Sequence, residues 1–336
     1  MILDVGYRLK KSDALLDAGY EVAHDQLTLK AYDTASKFAF ADVAGKVSLD
    51  GRTVCGDGFE VKFGDDGFIC AYEYHGTELL REPLRPEFYR ALTENDYGVR
   101  KGGNRQVYES WLKWRTAKLQ LRSFDAGQCE TSVKVSAVYS IDEMGAEVTM
   151  RYEILADGTV RATETMKADT GNKTAPYLMR FGMKMAMPEA FDVVEFYGAG
   201  PQETYCDRVS GARVGHYVQS VDEQLHPFYA RPQESGSHCN LRWWRICDTA
   251  GRGFEIVSDG LFSASAVPYP FDQLDCMSED YRKHFPELEK DGNVYVNFDL
   301  KNMGLGCVDS WGRLPRSEYM VPYGDYTFEF ALKPLK

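Results

Sequence analysis

Four short stretches hold most of the side chains in this 336-residue chain that could do chemistry. The first runs Tyr197-Gly-Ala-Gly-Pro-Gln-Glu-Thr-Tyr-Cys-Asp-Arg208 and sets Glu203, Tyr205, Asp207 and Arg208 along a run of extended character. Its glycines permit backbone angles and close approaches that side chains forbid, while Pro201 fixes one dihedral and removes a donor. The second, Phe88-Tyr-Arg-Ala-Leu-Thr-Glu-Asn-Asp-Tyr-Gly98, carries Arg90, Asn95 and Asp96 at an expected strand end with a turn. Arg231-Pro-Gln-Glu-Ser-Gly236 contributes Glu234, and Val308-Asp-Ser-Trp-Gly312 contributes Trp311. Carboxylates beside guanidinium groups serve either of two ends: acid–base and hydrogen-bonding work on a ligand, or ion pairs that brace a loop. Read as structure alone, residues 197–208 are a strand end, a turn and a surface ion pair.

Other chemistries find less support. Gly198-x-Gly200 lacks the third glycine and the following helix of a dinucleotide loop. The six histidines (24, 75, 216, 226, 238 and 284) show no HxH or H-x-x-x-H spacing, so no metal site is expected. His216 and His238 lie nearest the first and third stretches and are the candidates for carrying a proton, against the commoner role of a surface or core histidine. No phosphate loop and no Ser-His-Asp motif is visible, and no cofactor is expected.

The stretch 197–208 closely resembles the G-x-G-P-x-E-x-Y-x-D-R signature of the C-terminal, small-chain domain of family 2 beta-galactosidases. Phe88 to Gly98 looks like that family's F-x-R-A-x-x-x-N-D-x-G segment, and Trp111 and Trp114 follow at a similar spacing. Residues 231–236 resemble its P-x-E-x-G turn, and residues 308–312 its D-S-W loop. The motifs come in matching order, within a span from about Asp42 to Lys336. Together they are specific where each alone is weak.

The resemblance implies a galactose-mutarotase-like supersandwich that sits beside a separate α/β barrel bearing the family's two hydrolytic glutamates. Glycoside hydrolysis needs two carboxylates roughly 5–10 Å apart across the scissile bond. This chain has no run of alternating βα units, so no catalytic residue is assigned in it, and alone it is expected not to cleave glycosides. For Trp311 the resemblance implies a platform that stacks on sugar at the pocket entrance. An indole face suits weakly positive pyranose C–H edges, although a tryptophan so placed can also cap a core edge. Arg90, Asn95, Asp96, Glu203, Arg208 and Glu234 either line a concave, sugar-binding sheet face or form a network bracing loops. The second role is preferred, because no positioned acid and base can be assigned among them.

The leading functional expectation is a C-terminal domain or fragment of a beta-galactosidase-like hydrolase that completes the sugar pocket and takes part in assembly. The alternative is a free-standing carbohydrate-binding or aldose-1-epimerase-like supersandwich, and a third reading is a purely structural interaction domain. The partners implied are a galactoside or related sugar, the missing barrel portion or large subunit, and further copies of the chain in a homo-oligomer.

Composition agrees without selecting. Apolar residues make up 44%, aromatics 13% and charged residues 27%, the profile of a globular β-rich protein. A net charge of −12 with no Lys/Arg cluster argues against a nucleic-acid partner. No apolar run approaches the ~20 residues that span a bilayer, so no membrane partner is expected, and the N-terminus has no basic-then-apolar signal. The compartment, cytoplasmic or periplasmic, is not readable. The eight cysteines (55, 70, 129, 206, 239, 247, 276 and 307) are scattered singly and are expected as reduced thiols. Asn172-Lys-Thr174 is a formal glycosylation sequon, relevant only in a eukaryotic secretory setting.

These side chains must be held by β-structure. Period-two alternation recurs at 133–139, at 148–154, and after the Asp157-Gly158 turn at 160–166. It returns at 294–300 and 326–332. Residues 177–187 form a long apolar face opposite Arg180 and Lys184. Such patterning predicts antiparallel sheets with one buried face each, in a large all-β two-sheet sandwich. Helices are expected only at Gln106–Leu121 and, as a short turn, at Met277–Leu288. Strands at 2–9 and 21–31 precede the sandwich. Residues 1–35 are therefore read as strands of a partial immunoglobulin-like domain or a linker, and residues 36–336 as the sandwich. An ordinary N-terminal hairpin packed on the main domain explains the first strands nearly as well.

Overall fold

The structure, a computed structural model, describes residues 1–38, 43–101, 103–172, 175–226, 229–275, 283–306, 309 and 312–336, with the side chains of 37 and 101 excepted. Two antiparallel sheets stack face to face. In the nine-stranded sheet the spatial order is Arg213–Ser220, Val193–Gly200, Trp243–Cys247, Gly253–Ser258, Tyr326–Leu335, Val160–Ala168, Ala146–Leu155, Ser132–Ile141 and Gln120–Gln128. The ten-stranded sheet runs His238–Leu241, Phe262–Val267, Asn293–Asn302, Arg180–Pro188, Glu82–Glu87, Ile69–Tyr74, Phe59–Phe63, Thr53–Gly56 and Val47–Asp50, with Thr77–Glu78 pairing off Ile69–Tyr74. The all-β sandwich read from alternation is the architecture found.

Alternation is what closes the layers. Along Ser132–Ile141, Val133, Val135, Ala137 and Tyr139 are buried while Lys134 is exposed. Rings from the two sheets meet between them: Phe298 with Phe330 at 5.0 Å, Phe63 with Tyr152 at 5.4 Å, and Tyr72 with Phe254 at 5.2 Å. Each such buried side chain contributes about 1.5–3 kcal/mol of hydrophobic stabilisation. At the Asp157-Gly158 turn, Asp157 accepts from the Thr159 amide (2.9 Å) and Gly158 takes φ +88°. The Gly158 carbonyl accepts a hydrogen bond from Tyr72 of the other sheet, so this turn also pins the layers together.

Several expected elements need correction. The strand Arg180–Pro188 lies in the middle of its sheet and is buried on nearly every side, so Arg180 does not face water as the alternation suggested. The expected helix at 106–121 is Arg105–Thr116. Ala117 leaves it at φ −58°, ψ 131°, and Gln120–Gln128 pairs as a strand instead. Glu94–Lys101 is a helix where only a turn was expected. Thr93 and Asp96 form its capping box, each backbone amide donating to the other's side chain (2.8 and 3.3 Å). Of the helical turn expected at 277–288, residues 277–282 lie outside the described residues, and Phe285–Glu287 is a short 3-10 turn.

The strands Ile2–Arg8 and Glu21–Thr28 pair only with each other. Gln26 ties this hairpin to the edge of the nine-stranded sheet by donating to the Val214 carbonyl (2.9 Å) and accepting from its amide (2.7 Å). Glu21 pairs with Arg213, and Tyr32 packs edge-on against Tyr197 at 5.8 Å. Leu3, Tyr7, Val22 and Leu27 remain exposed.

Candidate functional site

The strand Val193–Gly200 ends at the Gly-Pro step, and the chain then folds into a tight turn in which Tyr205 and Arg208 exchange backbone hydrogen bonds of 3.2 and 2.8 Å. The extended run expected through 203–208 is thus replaced by a turn, which aims Glu203 and Asp207 at different neighbours. Asp207 accepts from the amides of Leu305 (3.0 Å) and Gly306 (2.9 Å). Glu203 accepts from the Tyr229 hydroxyl (2.5 Å), the Ser235 hydroxyl (3.2 Å) and the Gly236 amide (2.8 Å), and Arg208 pairs with it at 3.0 Å. One short turn therefore anchors both the 231–236 and the 304–306 segments.

The Phe88–Gly98 stretch approaches the same point from the opposite side. Arg90, 1% exposed, pairs with Asp96 at 2.7 Å and donates to the carbonyls of Ala91 (3.1 Å) and Gly304 (3.3 Å). Asp96 also accepts from the Thr93 amide and hydroxyl (2.8 and 2.9 Å). Asn95, half-buried in the first turn of its helix, donates to the Leu305 carbonyl (3.2 Å). Gln233 accepts from the Glu94 amide (3.0 Å), and the Arg231 guanidinium lies over the Tyr97 ring at 4.8 Å. Glu234 pairs with Arg180 at 2.9 Å and accepts from Asn302 (3.4 Å).

Electrostatics follow from this burial. Desolvation would lower the pKa of Arg90, but the Asp96 and Glu234 carboxylates more than reverse it, so the guanidinium stays charged. Burial, with Glu234 and Glu203 nearby, drives the Tyr205 hydroxyl well above its usual range. Burial and the Glu203 contact push Tyr229 up to about 12. His238, one of the two proton-carrier candidates, is fully enclosed, and desolvation lowers it to about 4, so it is neutral near pH 7. His216, the other, is exposed and bonds Glu195 at 2.7 Å on the outer face of the sheet.

Arg90, Asn95, Asp96, Glu203, Arg208 and Glu234 therefore fall into neighbouring groups: Arg90 pairs with Asp96, Arg208 with Glu203 and Glu234 with Arg180, while Asn95 bonds the Leu305 carbonyl. Of these, Arg90 and Asn95 bond the 304–306 segment directly, as Asp207 does. Trp311 lies outside the described residues. The glycine after it is informative: Gly312 has φ +83°, and a Cβ there would collide with the Gly98 and Val99 backbone. Gly312 therefore sits directly on the N-D-x-G end of the second stretch. Sequence reasoning missed Arg180, Lys184, Glu87 and Asp299, which pair or cluster within the ten-stranded sheet. The signal available was Arg180 and Lys184 standing four apart inside an otherwise apolar run. Among the described residues no group of three His, Cys, Asp or Glu could hold a metal ion.

Residues 55–332 match the family model for the beta galactosidase small chain. A beta-galactosidase of Priestia megaterium (strain DSM 319 / IMG 1521) is 33% identical over 99% of this chain, which covers 31% of that protein. One of Halalkalibacterium halodurans is 30% identical over 96% of the chain, again 31% of the relative. The chain thus spans about a third of the length of these curated relatives. Among solved structures, galactose 1-epimerase from Lactobacillus acidophilus NCFM superposes with a TM-score of 0.46 at 7% identity, covering 86% of this chain and 97% of that one.

Proposed function

The chain belongs to the beta-galactosidase small-chain family, and from that premise we propose that it completes the sugar-binding pocket of a beta-galactosidase-like glycoside hydrolase. In this reading the bond-breaking carboxylates lie on polypeptide outside these 336 residues. The observation that carries it is the anchoring of residues 304–306 and of Gly312, between which Trp311 falls in the sequence. Asp207 and Asn95 hold Leu305, Arg90 and Asp207 hold the 304–306 backbone, and Gly312 rests on Gly98. A stacking platform works only if its ring is held in one position before the sugar arrives, and segments distant in sequence hold residues 304–306 and Gly312, which precede and follow Trp311 in the sequence. Trp311 is the sugar-contacting residue in this reading. Arg90, Asn95, Asp96, Glu203, Arg208 and Glu234 are positioning residues. The partners are a galactoside, the barrel-bearing portion and, in the assembled enzyme, further copies of the protein. No cofactor is asked of this chain.

The test is reconstitution. The pure chain should leave a chromogenic galactoside intact, and mixing it with the barrel-bearing portion of the Priestia relative should restore turnover. In the restored enzyme Trp311→Ala should raise KM roughly 2- to 12-fold, the worth of one aromatic contact, and leave kcat nearly unchanged, because stacking at an entrance binds ground and transition states alike. Robust hydrolysis by the pure chain would overturn the reading.

A further inference from the structure

Where the N-terminal hairpin meets the sandwich, a cavity of about 200 Å³ lies between the residues around Thr28 to Thr34 and one end of the nine-stranded sheet. Tyr32, Tyr197 and Arg242 line it together with Ile2, Lys30 and Leu261. The Tyr32 ring stands edge-on to that of Tyr197 at 5.8 Å, and the Arg242 guanidinium lies 5.4 Å from the centre of the Tyr197 ring. The Arg242 amide donates to the Tyr197 carbonyl (2.8 Å), and one terminal nitrogen of its side chain donates to the Asn240 carbonyl (2.6 Å). Its Nε is buried with no hydrogen-bond partner. Neighbouring Arg245 holds Glu195 and Glu255 at 3.0 and 2.6 Å, but among the described residues no carboxylate pairs with Arg242. Burial lowers its pKa, and only the tyrosines Tyr197 and Tyr32 oppose that. A guanidinium stays charged at neutral pH, so this half-buried cation lacks a counter-ion.

We propose that this cavity binds a single aliphatic carboxylate at Arg242. Removing a charge from water without a partner is costly, and an anion seated beside it offsets that cost. The planar fork of a guanidinium matches the two oxygens of one carboxylate. Tyr32 and Tyr197 add hydroxyl donors, neither of them engaged by another protein group among the described residues. Burial and then the Glu255 carboxylate raise the Tyr32 hydroxyl above its ordinary value, so it keeps its proton to donate. Glu255 itself is taken by Arg245 at 2.6 Å and does not serve as the counter-ion of Arg242. Ile2 and Leu261 offer apolar surface to the carbon stem of the acid. The charge count favours one negative charge: Lys30 is exposed at the rim, which leaves Arg242 as the enclosed cation, and a chain of net charge −12 repels a dianion such as phosphate. The size agrees, since 200 Å³ corresponds to roughly seven water molecules and is below the ~300–1,000 Å³ of drug-sized sites. Such a carboxylate has two sources, a free short-chain acid or an Asp or Glu side chain on polypeptide outside these residues.

Titration of the purified full chain with isotopically carboxyl-labelled propionate, followed by NMR at constant ionic strength, tests this. Saturable binding is expected with a Kd of about 1–50 mM, as suits a ligand of about five heavy atoms. Arg242→Gln should weaken it at least about tenfold, and Arg242→Lys, which keeps the charge but loses the fork, about threefold. Tyr32→Phe, which keeps the ring contact and removes the hydroxyl, should weaken it about two- to fivefold. Lys118→Gln, at an exposed position outside the cavity, should leave it unchanged. Three results would each overturn the proposal. One is no saturation by about 200 mM propionate, a second is tighter binding of inorganic phosphate at the same site, and the third is unaltered binding in the Arg242 and Tyr32 variants. Repeating the titration on the chain assembled with the barrel-bearing portion then separates the two sources. Unchanged affinity there identifies a free acid as the ligand, and lost propionate binding identifies a protein carboxylate already in place. Because the isolated chain decides the proposal, its outcome is independent of whether reconstitution succeeds.

Discussion

Arg90 is the residue on which the signature segments depend most. It is enclosed, carries a full charge and divides its bonds between Asp96 and two backbone carbonyls. Replacing it by methionine should cost about 3–5 kcal/mol, because Asp96 would be left as a buried unpaired charge. Urea denaturation of Arg90→Met against wild type measures this, and a change under 1 kcal/mol would show that the pair does not hold the fold. Asp299 makes a different point. Arg180 is already engaged by Glu234 at 2.9 Å and reaches Asp299 only at 3.7 Å, so desolvation prevails and lifts the Asp299 carboxyl to about 8. Glu164, buried with neither carboxyl oxygen partnered, moves in the same direction because of burial and then Asp299. A carboxyl raised in the folded state binds more protons there than when unfolded. Its contribution is therefore lost as pH climbs from about 4 to about 8. Asp299→Asn should flatten the fall of stability across that window in denaturant titrations at pH 5 and pH 8. An unchanged slope would place the titration elsewhere.

At the scale of elements, two contacts decide how surface segments are held. Gln26 makes a strand-like pair of bonds to Val214 and so occupies part of an otherwise open sheet edge. Gln26→Ala should expose the 9–20 turn of the hairpin to limited proteolysis while the sandwich melts at nearly its original temperature. A matched loss of both would mean that the hairpin and sandwich unfold as one. Gly312 has no room for a side chain and a φ that favours glycine, so Gly312→Ala must shift the loop. In the reconstituted hydrolase it should raise KM about as much as Trp311→Ala does, at a cost to stability of about 1–2 kcal/mol. A normal KM would separate the loop from sugar binding.

The same elements show what a sequence can and cannot announce. Outward-facing polar positions made strands such as Ser132–Ile141 easy to recognise, since each face meets a different medium. Arg180–Pro188 was misjudged because a strand in the middle of a sheet, covered on both faces, has no solvent side for its charges to mark. The helix Glu94–Lys101 was hidden by its polar composition, although the Thr93–Asp96 capping pair was present to be read. Likewise Glu203 and Asp207 stood out by type, but which backbone amides they hold depends on contacts about 30 and 100 residues away, which no local pattern encodes.

For the whole molecule, the family match and the sandwich agree, and the pairing order carries a further consequence. Tyr326–Leu335 lies in the middle of the nine-stranded sheet, between Gly253–Ser258 and Val160–Ala168. A polypeptide stopped short of Tyr326 would bring two unsatisfied strand margins and the vacated berths of Phe328 and Phe330 into water at once. Nonsense products of this gene should thus be recovered in inclusion bodies rather than as shorter working proteins.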